Sequence, residues 1–182
     1  MPLGKLRNSG FYLGPMGYSL PDIQAAIKTV SAVPDWTADE RGKQLMRLSL
    51  DIDGQTLQGL YLRLTAHRKF PDQEVTAQLE YQPPFQILTA LGRIDWRPLK
   101  DHTNPVNGPA KHRLKRITGS HHHSFALNWI PERSSMRETN LPFAEAINPD
   151  PSDFGQLLAL VSKEFRISGI DGLPVPTWDL LL

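Results

Sequence analysis

Six histidines occur in the chain, and four of them fall between positions 112 and 123. Three are consecutive, His121-His122-His123, and His102 precedes them in the run Asp-His-Thr-Asn-Pro. An imidazole offers either a proton or a lone pair near neutral pH, so such a cluster suits acid–base chemistry or metal ligation. On a strand, His121 and His123 point the same way and present two rings to one ligand. Adding His102 or Asp95 makes three ligands, the minimum for a catalytic zinc with an open position, and such an ion activates water for phosphodiester hydrolysis. A metal-free scheme uses the same side chains. There, His102, His121 and His123 act as acid and base on RNA, whose 2′-OH is the nucleophile. Lys111, Arg113, Lys115 and Arg116 hold its phosphate. Those three histidines are thus the catalytic candidates and those four cations the substrate-binding ones, with no residue assigned as a metal ligand and no cofactor named by the sequence. The plainer alternatives are turn hydrogen bonds for the histidine run and an edge strand guarded by charge for the basic one.

The remaining composition narrows the field. There is no cysteine, which removes disulfides, thiolate ligands and a cysteine nucleophile, and suits a cytoplasmic location. A formal charge of +1 leaves no overall field directed at nucleic acid, so any such binding must come from a local patch. No apolar run approaches the roughly 20 residues of a membrane span, so no membrane partner is expected. At 182 residues the chain is long enough for one domain with its own core.

The elements that must position the histidines follow from hydrophobic period. Ser19 to Asp22 caps a helix carrying Ile23, Ala26, Ile27, Val30 and Val33, which Pro34 stops. Thr37-Ala-Asp-Glu40 reads as a second capping box before one or two turns. Alternation then predicts consecutive antiparallel strands at 45–52, 57–65, 74–82 and 86–96, the first two joined at Asp53-Gly54. Residues 97–111 form a loop. The basic run follows, with Arg113 and Lys115 on one strand face, and a strand continues through the histidines to Trp129. In that strand His121 and His123 share the apolar face of Phe125, Leu127 and Trp129, and His122 joins the polar one. Residues 131–149 form a second long loop. A last helix at 151–167, capped by Asp150 with Pro151 in its first position, carries Phe154, Leu157, Leu158, Val161 and Phe165 as one stripe and ends at Ser168-Gly169. The expected fold is α+β: an antiparallel sheet of about five strands with two principal helices packed on it. Residues 1–18 form an extended arm, 19–170 the domain, and 171–182 an apolar tail that packs back or docks on a partner.

The order of motifs resembles a family of uncharacterised small bacterial and phage proteins. In that family an acidic strand leads to a His-x-Asn-Pro-Asp-Gly loop and then a Pro-His-x-His strand. Over roughly residues 45–167, Asp95, His102, Asn104, Pro105, Gly108, His121 and His123 stand at the matching places. Val106-Asn107 replaces the Asp before Gly108, Gly119-Ser120 stands where Pro is usual, and Asn128-Trp129 stands near the place of a missing Glu-Gly step. The resemblance implies a setting of phage–bacterium conflict and no particular reaction. Two classes of function follow. One is a nucleic-acid-acting protein, a His-dependent ribonuclease with RNA or DNA as partner. The other is a non-catalytic interaction module, a subunit or inhibitor of a host complex, that docks on a protein through the long loops and the apolar tail.

Overall fold

The computed structural model describes residues 17–137 and 140–179, so nearly all of the expected N-terminal arm lies outside the described residues. Helix α1 (Leu20–Ala25) starts at a capping box in which Ser19 and Asp22 satisfy each other's backbone. Strands β1 (Lys28–Val30) and β2 (Thr37–Ala38) follow, then four long strands, β3 (Lys43–Ile52), β4 (Gln55–His67), β5 (Val75–Tyr81) and β6 (Thr89–Trp96). These four are consecutive antiparallel neighbours, as the alternation predicts. A small ladder pairs β7 (His102–Thr103) with β8 (Arg116–Ile117), and β9 (His121–His123) adds to β6. Beyond β9 come a one-turn helix α2 (Phe125–Asn128) and a small hairpin of β10 (Trp129–Ile130) and β11 (Ser135–Met136). Last are β12 (Glu145–Ala146), helix α3 (Phe154–Phe165) and β13 (Ile167–Ser168). The main sheet has nine strands in the order β12-β9-β6-β5-β4-β3-β1-β13, with β2 also on β3.

The α+β class holds, but the sheet is larger than expected and mixed, because β1 and β13 pair in parallel. One long helix, not two, covers it. The apolar period after Ser19 does not continue as helix. Α1 ends at Ala25, Ile27 and Val33 are exposed, and Lys28 to Val30 pair with β3 instead. The Thr37 segment is likewise a strand beside β3. Asp153, not Asp150, caps α3 by accepting from the Gln156 amide at 2.8 Å, and Arg166 in a left-handed conformation ends it before Ser168.

Α3 lays Phe154, Leu157, Leu158, Val161 and Phe165 on the apolar sheet face, and all five are buried. Each contributes about 1.5–3 kcal/mol of gross burial free energy. That burial is what holds the helix, since twelve residues alone are marginal in water. Gly92 on β6 makes the close approach possible, because a Cβ there would lie 2.7 Å from the Phe165 ring. The C-terminal segment packs back as far as it is described. Leu173 is buried, the Trp36 indole donates to the Pro174 carbonyl at 2.8 Å, and Trp178 lies against the core.

Lys28 is fully buried where α1 and α3 end, and its ammonium donates to the carbonyls of Ala26 (2.9 Å), Phe165 (3.0 Å) and Gln24 (3.4 Å). Burial, with Arg166 adding to it, lowers its pKa to about 8. Lys28→Met fills the same volume but leaves these carbonyls without a donor. It is expected to cost about 1–3 kcal/mol in a urea titration; an unchanged midpoint would show that the carbonyls need no cation.

Candidate metal centre

The two faces of the sheet differ in kind. One carries the core and α3. The other carries a polar row in direct cross-strand register: Arg47 opposite Arg63, Arg63 opposite Gln78, Gln78 opposite Arg93, and Arg93 opposite His123. A second row sets Thr76 beside Asp95 and Asp95 beside His121. His121 and His123 therefore share the polar face with Arg93 and Asp95, while His122 faces α3, 3.6 Å from the Glu164 carboxylate and beside Phe165. This inverts the facing read from sequence. The reason is local: the strand stops at His123, Ser124 caps α2 by accepting from the Leu127 amide, and Phe125 to Trp129 no longer continue the alternation.

His102 reaches the same place from the small ladder. Its ring stacks on His121, centroids 5.1 Å apart, and meets His123 edge-on at 4.7 Å; His121 and His123 are 5.0 Å apart. One ring nitrogen from each lies within 4.8 Å of the other two. The three histidines proposed from sequence thus converge.

The wall that closes the cluster comes from the segment expected to be a polar loop. Leu141, Phe143 and Ala144 are completely buried. Two buried asparagines clamp their backbone. Asn128 donates to the Phe143 carbonyl and accepts from its amide, at 2.9 and 3.0 Å. Asn104 does the same for Ala144, at 3.0 and 2.8 Å, and also donates to the His112 carbonyl. Each side-chain amide thus imitates the peptide of a neighbouring strand. Carbonyls freed by this geometry orient the imidazoles. Leu141 accepts from His123 Nδ1, Pro142 and Asn104 Oδ1 accept from His102 Nε2, and Gly119 accepts from His121 Nδ1. A carbonyl can only accept, so these contacts fix the tautomers of the neutral rings and leave lone pairs on His102 Nδ1, His121 Nε2 and His123 Nε2.

Asp95 and Arg93 face the lone pairs of His121 and His123. Asp95 Oδ2 is 3.3 Å from Nε2 of both His121 and His123, and it accepts from Arg93 Nε at 2.8 Å; its Oδ1 accepts from Thr76. Arg93 also donates to His123 Nε2 at 2.7 Å and to the Asn140 carbonyl at 2.9 Å. Burial pushes the Asp95 carboxyl up, but positive charge shared with the His121 and His123 rings, together with the Arg93 guanidinium, outweighs it and holds the group well below the usual carboxylate range. Burial lowers His123 to about 4, with Arg93 adding to the effect and Asp95 opposing it. His102 is lowered by burial too, against its bond to Asn104.

The four cations are placed differently from the expectation. Lys111 lies in a 3-10 turn and only Arg116 is in a strand, so Arg113 and Lys115 do not share a strand face. All four are exposed on the segment that returns to pair with His102. Arg116 is tied to Asp101, and Arg113 donates to the Gly108 carbonyl. Sequence reasoning missed Arg93, although Arg-x-Asp on one strand face opposite His-x-His was a readable signal. Trp96, at the end of β6, is completely buried.

Fold and site together define an α+β protein whose mixed sheet carries a buried three-histidine centre. No protein-family model, curated protein or solved structure matches the chain. Among the described residues, no helix is long and apolar enough to cross a membrane.

Proposed function

We propose that this protein acts on nucleic acid as a phosphodiester hydrolase, of the kind expected in phage–bacterium conflict, with His102, His121 and His123 as the reacting centre. The observation that carries the reading is the convergence of the three imidazoles with Asp95 and Arg93. A phosphoryl centre needs an activated attacking oxygen and a cation held where charge develops. Within the cluster, His121 and His123 are almost wholly buried, with side chains 4% and 0% exposed, so they position the chemistry and do not grip a polymer. His102, half-buried, and Arg93, 22% exposed, are the groups nearest a substrate.

Two cationic surfaces flank the centre. One is the row of Arg47, Arg63 and Arg93 across the polar sheet face, part-neutralised by Glu80, which both Arg47 (3.1 Å) and Arg63 (3.0 Å) contact. The other is the exposed segment with Lys111, Arg113, Lys115 and Arg116. Either suits a phosphate backbone in a protein with little net charge. The interaction-module reading loses the described part of its tail, which is packed, but keeps an exposed apolar tip at Phe85 and Ile87 between β5 and β6.

Incubation of the purified protein with single-stranded RNA and DNA tests the proposal. Cleavage is expected, falling about 100-fold or more in His102→Ala. Arg113→Ala and Lys115→Ala are each expected to weaken binding and to flatten its salt dependence by about one phosphate contact. A wild type that neither cuts nor binds either polymer would overturn the enzyme reading in favour of the module.

A further inference from the structure

We infer that His102, His121 and His123, with Asp95 beside two of them, hold one divalent transition-metal ion of the zinc class. Its catalytic meaning rests on the function proposed above; the binding of the ion does not. Three observations carry it. Ring nitrogens of all three histidines gather within 4.8 Å, so small rotations bring them to the roughly 3.3 Å spacing of ligands around a tetrahedral ion. Each ring has one nitrogen anchored to an acceptor on the surrounding chain, which sets the tautomer and leaves a lone pair on the second, as the outer shell of a metal site does. Finally, the cluster is short of a positive group.

The third point decides the matter. His121 Nδ1 gives its proton to the Gly119 carbonyl, so in the neutral ring Nε2 is a lone pair, and it faces the Asp95 carboxylate at 3.3 Å. A lone pair and a carboxylate repel unless a cation lies between them. Arg93 meets part of this need, donating to Asp95 and to His123 Nε2. A metal ion answers it at all three rings and beside the carboxylate, displacing Arg93 from His123 toward the substrate side. Three imidazoles, with no thiolate, favour zinc, cobalt or nickel over magnesium or calcium. When bound, such an ion supplies an activated water or a Lewis acid at the phosphoryl oxygen.

The test uses the full chain, stripped with chelator and then titrated with zinc and, separately, cobalt. One ion per chain is expected by elemental analysis, with visible cobalt absorption of the tetrahedral type and a rise in thermal midpoint on loading. His102→Ala and His121→Gln should each weaken binding at least tenfold, and His67→Ala, far along β4, should leave it unchanged. If a histidine variant fails to fold, titration of the wild type alone still decides, because its failure to bind either ion would overturn the proposal. Equal losses in His67→Ala would also overturn it. Cleavage by rigorously metal-free protein at the undiminished rate would overturn the ion's catalytic role and leave the hydrolase reading standing. Stoichiometric metal without cleavage or binding of nucleic acid would do the reverse.

Discussion

Asn104→Ala is expected to destabilise the protein by about 3–5 kcal/mol, read as a lower urea midpoint at unchanged slope. The size follows from what the side chain does. It is completely buried and joins four partners: the His112 carbonyl, both backbone groups of Ala144, and the His102 ring. Truncation leaves three buried backbone groups unpaired, each worth about 1–3 kcal/mol, with less than full additivity. Asn104→Asp is the sharper control. It keeps the acceptor toward Ala144 and His102 but cannot donate to two carbonyls, and it buries a carboxylate against them. It should therefore be no milder than Ala. A loss below about 1 kcal/mol in Asn104→Ala would show that the 140–144 segment is held by Phe143 packing alone.

Protein kept metal-free in chelator is expected to lose stability as pH falls from 6.5 toward 4. The buried His123 has a folded-state pKa of about 4, against an ordinary 6.5. Between those values the unfolded chain holds the proton and the folded protein does not, so stability rises with pH across the window. The contribution is complete above about 6.5 and is lost as pH falls through the folded value. A gap of roughly 2.5 pH units, at about 1.4 kcal/mol each, gives about 3 kcal/mol. His102 and His122 are also lowered by burial and steepen the same slope. Asp95, held below its usual range, extends the loss to more acid pH. Urea midpoints measured across the window read the slope, and His123→Gln should flatten it by about one proton. A stability that is level from neutral pH down to about 4.5 would show that the histidines are not buried as neutral groups.

Much of the scaffold was legible from residue order because it is set by local pattern. Met46 to Ile52 and Leu60 to Leu64 alternate with polar residues, and a one-residue slip would turn each apolar set to solvent, so register follows from the chain itself. The stripe from Phe154 to Phe165 is equally local, and so is the Ser19–Asp22 cap. The three histidines were recognisable by type and number. What their neighbours are was not. Ile27, Val30 and Val33 fit a helical period, yet the carbonyls at the ends of α1 and α3 recruit Lys28, and a parallel partner, β13, pairs with the chain at Lys28. The facing of His121 and His123 was decided by Arg93 and Asp95 across the strand pair, and by Ser124 ending the alternation just beyond them. Leu141 to Ala144 reads as loop because the groups that bury it, Asn104 and Asn128, lie on separate, distant parts of the chain. Residue types thus determined that a histidine centre and its sheet exist. Only long-range backbone pairing decided which carbonyls orient the rings, which lone pairs converge, and that a carboxylate and a guanidinium meet them.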